Sequence, residues 1–488
     1  MSTRIKGATK GFSREAVEEL SHRRNEPEWL LNKRLEAWAK YEELPMPTRA
    51  DEEWRRTDIR DLPINDVAPF GEFSSRLSSR DELPESVKTP LAAAGELSGV
   101  VVQNDSSIVY HEVNPALAEQ GVIFADFDTA IAEHPELLQK YFMSEEIVPA
   151  GDNKFAALHG AFWTTGTFVY VPANVEVELP FRAFATLSTS GIGTFFHTLI
   201  VAEENARVTF IDYCQSETLS AESITDNVVE LHAASGAELR YIQIQDWGRH
   251  VWNFHTQTGV VHQDAAIKTL NVALGSQLSK GMISSTLAGP GSQAEMLGLF
   301  FADEDQHIDH QTRQFHQSPY ATSDLLFKGT VKDQARTVFS GTIKVAPKAH
   351  GTDSYQANRN LSLSPKARID TMPKLEIEAN DVRCTHGATI SQIEEDYIFY
   401  LMSRGINRTE AEKLIVDGFF DEVIERVPVE SVQETVRTAI DKKIGYLIEQ
   451  VSWHGQGRGS ASPLSLRLQF KRRHRTLREV SIHVRSLP

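Results

Sequence analysis

Val382-Arg383-Cys384-Thr385-His386-Gly387-Ala388-Thr389 holds one of only two cysteines in a chain of 488 residues, with a histidine two positions further on. In an extended segment side chains alternate faces, so Cys384 and His386 point the same way, roughly 7 Å apart at the backbone. A soft thiolate and an imidazole on one face supply part of a metal or cluster site, but not a complete one. The plainer alternative is a buried free cysteine beside a hydrogen-bonded histidine. The second cysteine, Cys214, ends the strand-like run Ile211-Asp212-Tyr213-Cys214-Gln215. There too a small buried side chain is the simpler expectation. A third stretch, Gln306-His307-Ile308-Asp309-His310 through Phe315-His316, invites a metal reading that strand geometry opposes. His307 and His310 are an odd number of residues apart and face opposite sides, and His310 and His316 share a face about 20 Å apart. These histidines are expected to be structural polar groups.

The elements that must position these residues fall into a simple order. The first ninety residues read as helical. Ser13 caps a helix with acids in its first turn, and Leu31, Leu35 and Trp38 recur at helical spacing before Pro45-Met46-Pro47 ends the pattern. Residues 91–154 alternate short strand and helix signals. From 155 to 390 short β-branched and aromatic runs, such as Thr167-Phe168-Val169-Tyr170-Val171 and Arg207-Val208-Thr209-Phe210-Ile211, are bounded by Gly, Asn or Pro with no crossover helices between them. That leaves a barrel, a sandwich or a β-helix, and no crisp hexapeptide period selects among them. Residues 391–450 return to helix. Thr409-Glu410-Ala411-Glu412 reads as a capping box in front of an apolar face of Leu414, Ile415, Phe419 and Val423, and Val432, Val436, Ile440, Ile444 and Leu447 line a further helix.

Composition excludes several classes. Hydrophobic content of 41% and charged content of 24% are those of a soluble globular protein. No apolar run is long enough to span a bilayer, and two cysteines argue for a reducing compartment, with cytoplasm the expected location. The net charge of −17 divides into +7 for residues 451–488 and −24 for residues 1–450. An acidic body is a poor partner for nucleic acid. The basic tail is expected to be a solvated, disordered end. There is no Gly-rich phosphate loop, no Gly-x-Ser-x-Gly elbow and no His-Glu-x-x-His helix, so ATP hydrolysis and the common hydrolytic chemistries are not expected of this chain.

The stretch around Cys384 and His386, with Phe399-Tyr400-Leu401-Met402-Ser403-Arg404-Gly405-Ile406 after it, resembles the signature of the SufB/SufD family of iron–sulfur cluster assembly scaffolds. Asn25-Glu26-Pro27-Glu28-Trp29, Leu44-Pro45-Met46-Pro47 and Glu52-Glu53-Trp54-Arg55-Arg56-Thr57-Asp58 resemble the amino-terminal region of the same family. The resemblance implies a mainly β fold: a right-handed parallel β-helix core between N-terminal and C-terminal helical regions. It implies a non-catalytic scaffold that pairs with a SufB-type subunit and recruits a SufC-type ABC ATPase through the C-terminal helices. An iron–sulfur cluster is then transient cargo shared with the partner, and there is no integral cofactor.

Two departures favour the SufD branch. SufB proteins carry His-Glu-Ala-Thr where this chain has His386-Gly387-Ala388-Thr389. They also carry Gln-Thr-Asn-Cys, with the sulfur-accepting thiol, near Gln356-Ala357-Asn358-Arg359, so Arg359 stands where that thiol is expected. His386 then corresponds to the SufD histidine that faces the SufB cysteine, with Cys384 and Cys214 as lesser sulfur or metal candidates. Within the same family the alternative is a SufB-like scaffold acting as a homodimer, with Cys214 or Cys384 receiving sulfur. A β-helical carbohydrate-active enzyme is the competing class, but no carboxylate pair recommends it.

Overall fold

The computed structural model describes residues 10–144 and 147–445; the basic tail and Leu447 therefore lie outside the described residues. Two long sheets run side by side. The first stacks Gly99–Asn104, Phe181–Leu187, Arg207–Ser216, Glu238–Asp246, Ala266–Ala273, Gln293–Ala302, Thr322–Val331, Asp353–Ser362 and Arg383–Gln392 in parallel, with Ser107–Val113 antiparallel at its beginning. The second stacks Thr165–Val171, Phe196–Ala202, Ser223–Ala233, Val251–Val261, Leu278–Leu287, His307–His316, Arg336–Val345 and Arg368–Ile377 in parallel, with Ile123–Asp126 antiparallel at its start. The chain alternates between the sheets, so it winds a parallel β-solenoid of about eight turns with helices at both ends.

What closes each turn is a stacked corner. Asn174, Asn205, Gly236, Asp264, Gly291, Tyr320, Gly351 and Asp381 all have φ between 54° and 71°. Gly, Asn and Asp tolerate this left-handed conformation because they lack a bulky Cβ substituent or hydrogen-bond locally. The corners are hydrogen-bonded to one another: the N–H of Asn205 donates to the Ser235 carbonyl, that of Gly236 to Gln263, and that of Asp264 to Pro290. Tyr320 is the exception, a bulky residue at φ 59° whose ring covers Gly351, where an added Cβ would lie 2.5 Å from Tyr320 Cδ1.

The lumen between the sheets is packed by reciprocal large and small residues. Gly298 pairs with Phe327 on the neighbouring strand, and Phe300 pairs with Gly329. A Cβ at Gly298 would fall 2.3 Å from the Phe327 ring, and one at Gly329 would fall 2.0 Å from the Phe300 ring. Gly329→Ala is accordingly expected to cost about 1–3 kcal/mol, since the Phe300 ring it meets is fully packed in the lumen. A fall in the urea midpoint at unchanged m-value would confirm it, and an unchanged midpoint would contradict the packing described.

Helices cover the outer faces of the sheets. Arg14–Arg23, Glu28–Glu43 and Lys154–Phe162 bury Val17, Leu20, Leu30, Trp38, Leu158 and Phe162 against Phe168, Leu199, Val201 and Val228 of the second sheet. The strand reading that begins at Phe155 is corrected here, because Lys154–Phe162 is a helix capped by Asn153. Every residue from Phe155 to Phe162 is buried, so no polar side exists to mark a helical period. At the other end Arg408–Ile424 and Glu430–Ile444 pack Val416, Phe420, Val423, Val432, Val436 and Ile440 on Ile242, Leu270, Leu299 and Leu326 of the first sheet. The N-cap of Arg408–Ile424 is Asn407, whose side chain accepts from Glu410 N, so the capping box starts two residues before the one expected at Thr409. Its buried residues include Val423 as expected, while Val416 and Phe420 replace Leu414, Ile415 and Phe419 at the centre of the face.

An irregular strap, residues 52–67, crosses the second sheet with Trp54, Ile59, Leu62 and Val67 against Ile224, Trp252, Phe254 and Leu278. It is riveted by a buried ion pair. Lys280 Nζ lies 2.7 Å from Asp309 Oδ2, both side chains 1% exposed, and also donates to the Glu53 carbonyl at 2.9 Å beneath the Trp54 ring. The Thr57 hydroxyl donates to Asp309 and accepts from His307 Nε2 at 2.9 Å.

Candidate functional site

Among the described residues, the last strand, Arg383–Gln392, pairs on one side only, with Asp353–Ser362. Register places Cys384 beside Ser354, His386 beside Gln356 and Ile390 beside Asn360. In-register neighbours in a parallel sheet share a face. That face is the lumen: Gln356 Nε2 reaches across to the Gly341 carbonyl of the opposite sheet at 3.2 Å, and Cys384 packs with Ile343, Val345 and Ala349. The structure thus agrees with the expected common orientation of Cys384 and His386 and adds which side they take. Both sit at the open end of the solenoid, Cys384 half-buried and His386 exposed.

The final coil is exposed on surfaces that earlier coils bury. Leu375 and Ile377 on the second sheet are 38% and 41% exposed, and Ile390 on the first is 53% exposed. A flat strand edge beside uncovered apolar residues is a surface that another chain can extend. A polar row, Ser354, Gln356, Asn358 and Asn360, lies one strand beneath Cys384 and His386 and is buried. Its signal was the every-second-residue polar pattern in Gln356-Ala357-Asn358-Arg359-Asn360, which a search for thiols passes over.

Arg359 points the other way. Its Nη1 lies 2.7 Å from Glu422 Oε2 on the helix Arg408–Ile424, and Lys328 Nζ meets the same carboxylate at 2.8 Å. It anchors the C-terminal helix to the outer face of the sheet, opposite to the face of His386. Gly387 has nothing within 4 Å of an added Cβ, so a side chain there meets open space.

The two thiols differ in setting. Burial first, then the Asp353 charge, pushes the Cys384 thiol up. Cys214 is 2% exposed, with Sγ 3.8 Å from Asp212 Oδ1, and burial followed by the Asp212 charge drives its thiol well above the usual range. Burial also raises Asp212 to about 6. A thiol held protonated is a weak nucleophile and ligand. Six strand spacings separate Cys214 from the strand of Cys384, roughly 29 Å, so the two cannot share one metal.

The histidines of the third stretch divide as strand alternation requires. His307 faces the strap, while His310 lies in the lumen between the Phe300 and Phe327 rings at 5.2 and 5.4 Å. His316 Nε2 pairs with the Ser323 hydroxyl at 2.8 Å. Among the described residues no group of three or more His, Cys, Asp or Glu is placed to hold a metal ion. Also among them, no helix is long and apolar enough to cross a membrane.

The C-terminal helix Glu395–Ser403 buries Ile398 and Leu401 but leaves Phe399, Met402 and Tyr397 at 74%, 46% and 38% exposure. Sequence periodicity assigned an apolar face to the later helices and overlooked this one.

The site is thus the open last described coil of a parallel β-solenoid, with Cys384 and His386 on the lumenal face of its edge strand. The family described as SUF system FeS cluster assembly, SufBD core domain, matches residues 185–419, and the SufBD protein N-terminal region matches residues 15–183. The chain is 33% identical over 436 residues to an iron–sulfur cluster assembly SufBD family protein of Staphylococcus saprophyticus, covering 88% of this chain and 92% of that one. It is 34% identical, with the same coverage, to SufBD family proteins of Staphylococcus aureus and Staphylococcus epidermidis. The chain belongs to the SufBD family of iron–sulfur cluster assembly proteins.

Proposed function

We propose that this chain is a SufD-type subunit, a cytoplasmic non-catalytic scaffold that works with a SufB-type partner and a SufC-type ABC ATPase. The observation that carries this reading is the incomplete donor set at the open coil. His386 and Cys384 share the lumenal face of an edge strand, and the position where a SufB thiol is expected is Arg359, committed to Glu422 on the opposite face. An iron–sulfur cluster is the cargo. His386 contributes an imidazole to it, Cys384 stands beside as a second donor, and the remaining ligands come from the chain that extends strand Arg383–Gln392. Exposed Leu375, Ile377 and Ile390 give that partner an apolar footing. The exposed Phe399, Met402 and Tyr397 supply the surface for the ATPase, whose hydrolysis is the energy source this chain lacks.

Co-expression with candidate SufB and SufC subunits tests the reading. The three are expected to purify together. His386→Ala is expected to leave that complex assembled while cluster content falls roughly 10- to 100-fold or more, since even outer-shell partners of a metal site cost that much when removed. Normal cluster content in the variant would remove His386 from the site. A complete iron–sulfur centre in the isolated chain would replace the SufD reading with that of a homodimeric SufB-like scaffold.

A further inference from the structure

A chain of buried hydrogen bonds joins the N-terminal helices to the outer face of the second sheet, far from the open coil. His159 Nδ1 lies 2.9 Å from the Asp226 carbonyl, His159 Nε2 lies 3.0 Å from His197 Nδ1, and His197 Nε2 lies 3.0 Å from Glu230 Oε2. His159, His197 and Glu230 are all 0% exposed. A backbone carbonyl only accepts, so His159 Nδ1 carries its proton and Nε2 presents a lone pair. His197 Nδ1 must therefore donate, which leaves the Nε2 lone pair of a neutral His197 facing Glu230. The last bond exists only if a proton sits between the carboxyl and Nε2. An imidazolium–carboxylate pair would satisfy the count as well, but full burial of two charges favours the neutral form.

The same carboxyl oxygen holds a strained turn. Met143, at φ 45°, donates its N–H to Glu230 Oε2 at 2.8 Å, and its carbonyl accepts from Lys33 Nζ at 3.2 Å. Phe142 packs edge-on against the His197 ring at 4.6 Å.

We propose that Glu230 is carried as a neutral carboxylic acid whose single proton, donated to His197 Nε2, locks the Met143 turn onto the solenoid and frees it when lost. Once ionised, the carboxylate faces a lone pair. Reversing the imidazole tautomers only moves that mismatch to the Asp226 carbonyl. Relief requires water, and because Glu230, Phe142 and Met143 are all buried the turn must shift to admit it.

The surrounding groups agree with a neutral acid. Burial drives both histidines well below their ordinary range and lifts Glu230 to about 7, against the smaller opposing effects of His232, the Met143 N–H and Lys33. The charged or titratable groups facing the network are Lys33 and Arg34 from Glu28–Glu43, Lys140 from Pro135–Tyr141, and Asp226 and His232 on the strand of Glu230 itself.

Amide hydrogen exchange at Met143 in the full chain tests this, with rates corrected for intrinsic base catalysis. Protection is expected to be constant below neutrality and to fall about tenfold per pH unit above it, as one proton is lost. Glu230→Gln has no proton to lose, and because His197 and Met143 both meet the Oε2 position its amide satisfies only one of them, so Met143 protection should be reduced and independent of pH. Unchanging protection in the parent up to pH ~9 overturns the proposal. So does a Gln variant that retains the parent's pH dependence.

Discussion

Acidification from neutrality is expected to unfold the protein steeply, in the window between the ordinary histidine value of 6.5 and about 4. Five histidines, His250, His255, His307, His310 and His316, are each lowered from 6.5 to about 4, in every case mainly by burial. His111, His159, His197 and His232 are lowered too, again mainly by burial. A histidine buried neutral stabilises the fold fully above its unfolded value, and that contribution disappears as pH falls through its folded one. Buried acids act against this trend. Asp212, Asp226, Glu230, Asp246 and Asp417 are raised by burial, so each gains native stability as pH falls. Nine histidines against five acids, among the described residues, leave an excess of about four protons taken up on unfolding. That corresponds to about 5 kcal/mol per pH unit, enough within two units to consume an ordinary domain stability of about 5–15 kcal/mol. Asp309 and Glu26, whose carboxyls are held low by Lys280 and Arg34 against the larger effect of burial, add a further loss at the acid end of the window. Urea midpoints at a series of pH values check this, and a midpoint unchanged from neutrality to about pH 4.5 would contradict it.

Lys280→Met is expected to lower stability by about 3–5 kcal/mol, the largest effect of any single surface-independent substitution in the strap region. Removing the ammonium leaves Asp309 buried with only Thr57 and Gln311 as donors and takes a donor from the Glu53 carbonyl. The double variant Lys280→Met with Asp309→Leu should recover much of the loss, because no unpaired charge then remains in the interior. Denaturant titration of the parent, the single and the double variant gives the coupling directly. Equal losses in the single and double variants would show that the strap is held by its apolar residues Trp54, Ile59 and Leu62, and that the ion pair contributes little.

Sequence reading reached the strand core, the helical flanks and the shared orientation of Cys384 and His386, because each depends on local alternation. It did not reach the solenoid unaided; family resemblance supplied that. The physical repeat is the corner, and the corner residues from Asn174 to Asp381 vary in type, with Tyr320 breaking the Gly, Asn and Asp pattern. Their spacing also drifts, since strand partners are offset by 26 residues at Trp252–Leu278 and by 32 at Arg336–Arg368. A drifting period with mixed residue types leaves no fixed-length motif. Lys154–Phe162 was missed because burial on all sides erases amphipathicity. The cap at Asn407 was misplaced because Asn407 and Thr409 are both competent N-caps, and only the backbone decides between them. Arg359 was legible as a missing thiol but not as an anchor, since Glu422 lies 63 residues away in sequence.

Stacked coils touch only their immediate neighbours, so each rung of the ladder owes its order to the ones above and below. Among the described residues, the rung carrying Cys384 and His386 has a neighbour on one side alone. Under the function proposed above, cargo handling falls on this terminal turn, and a chain seated against it would both complete the ligand set and stiffen the floor on which it is built.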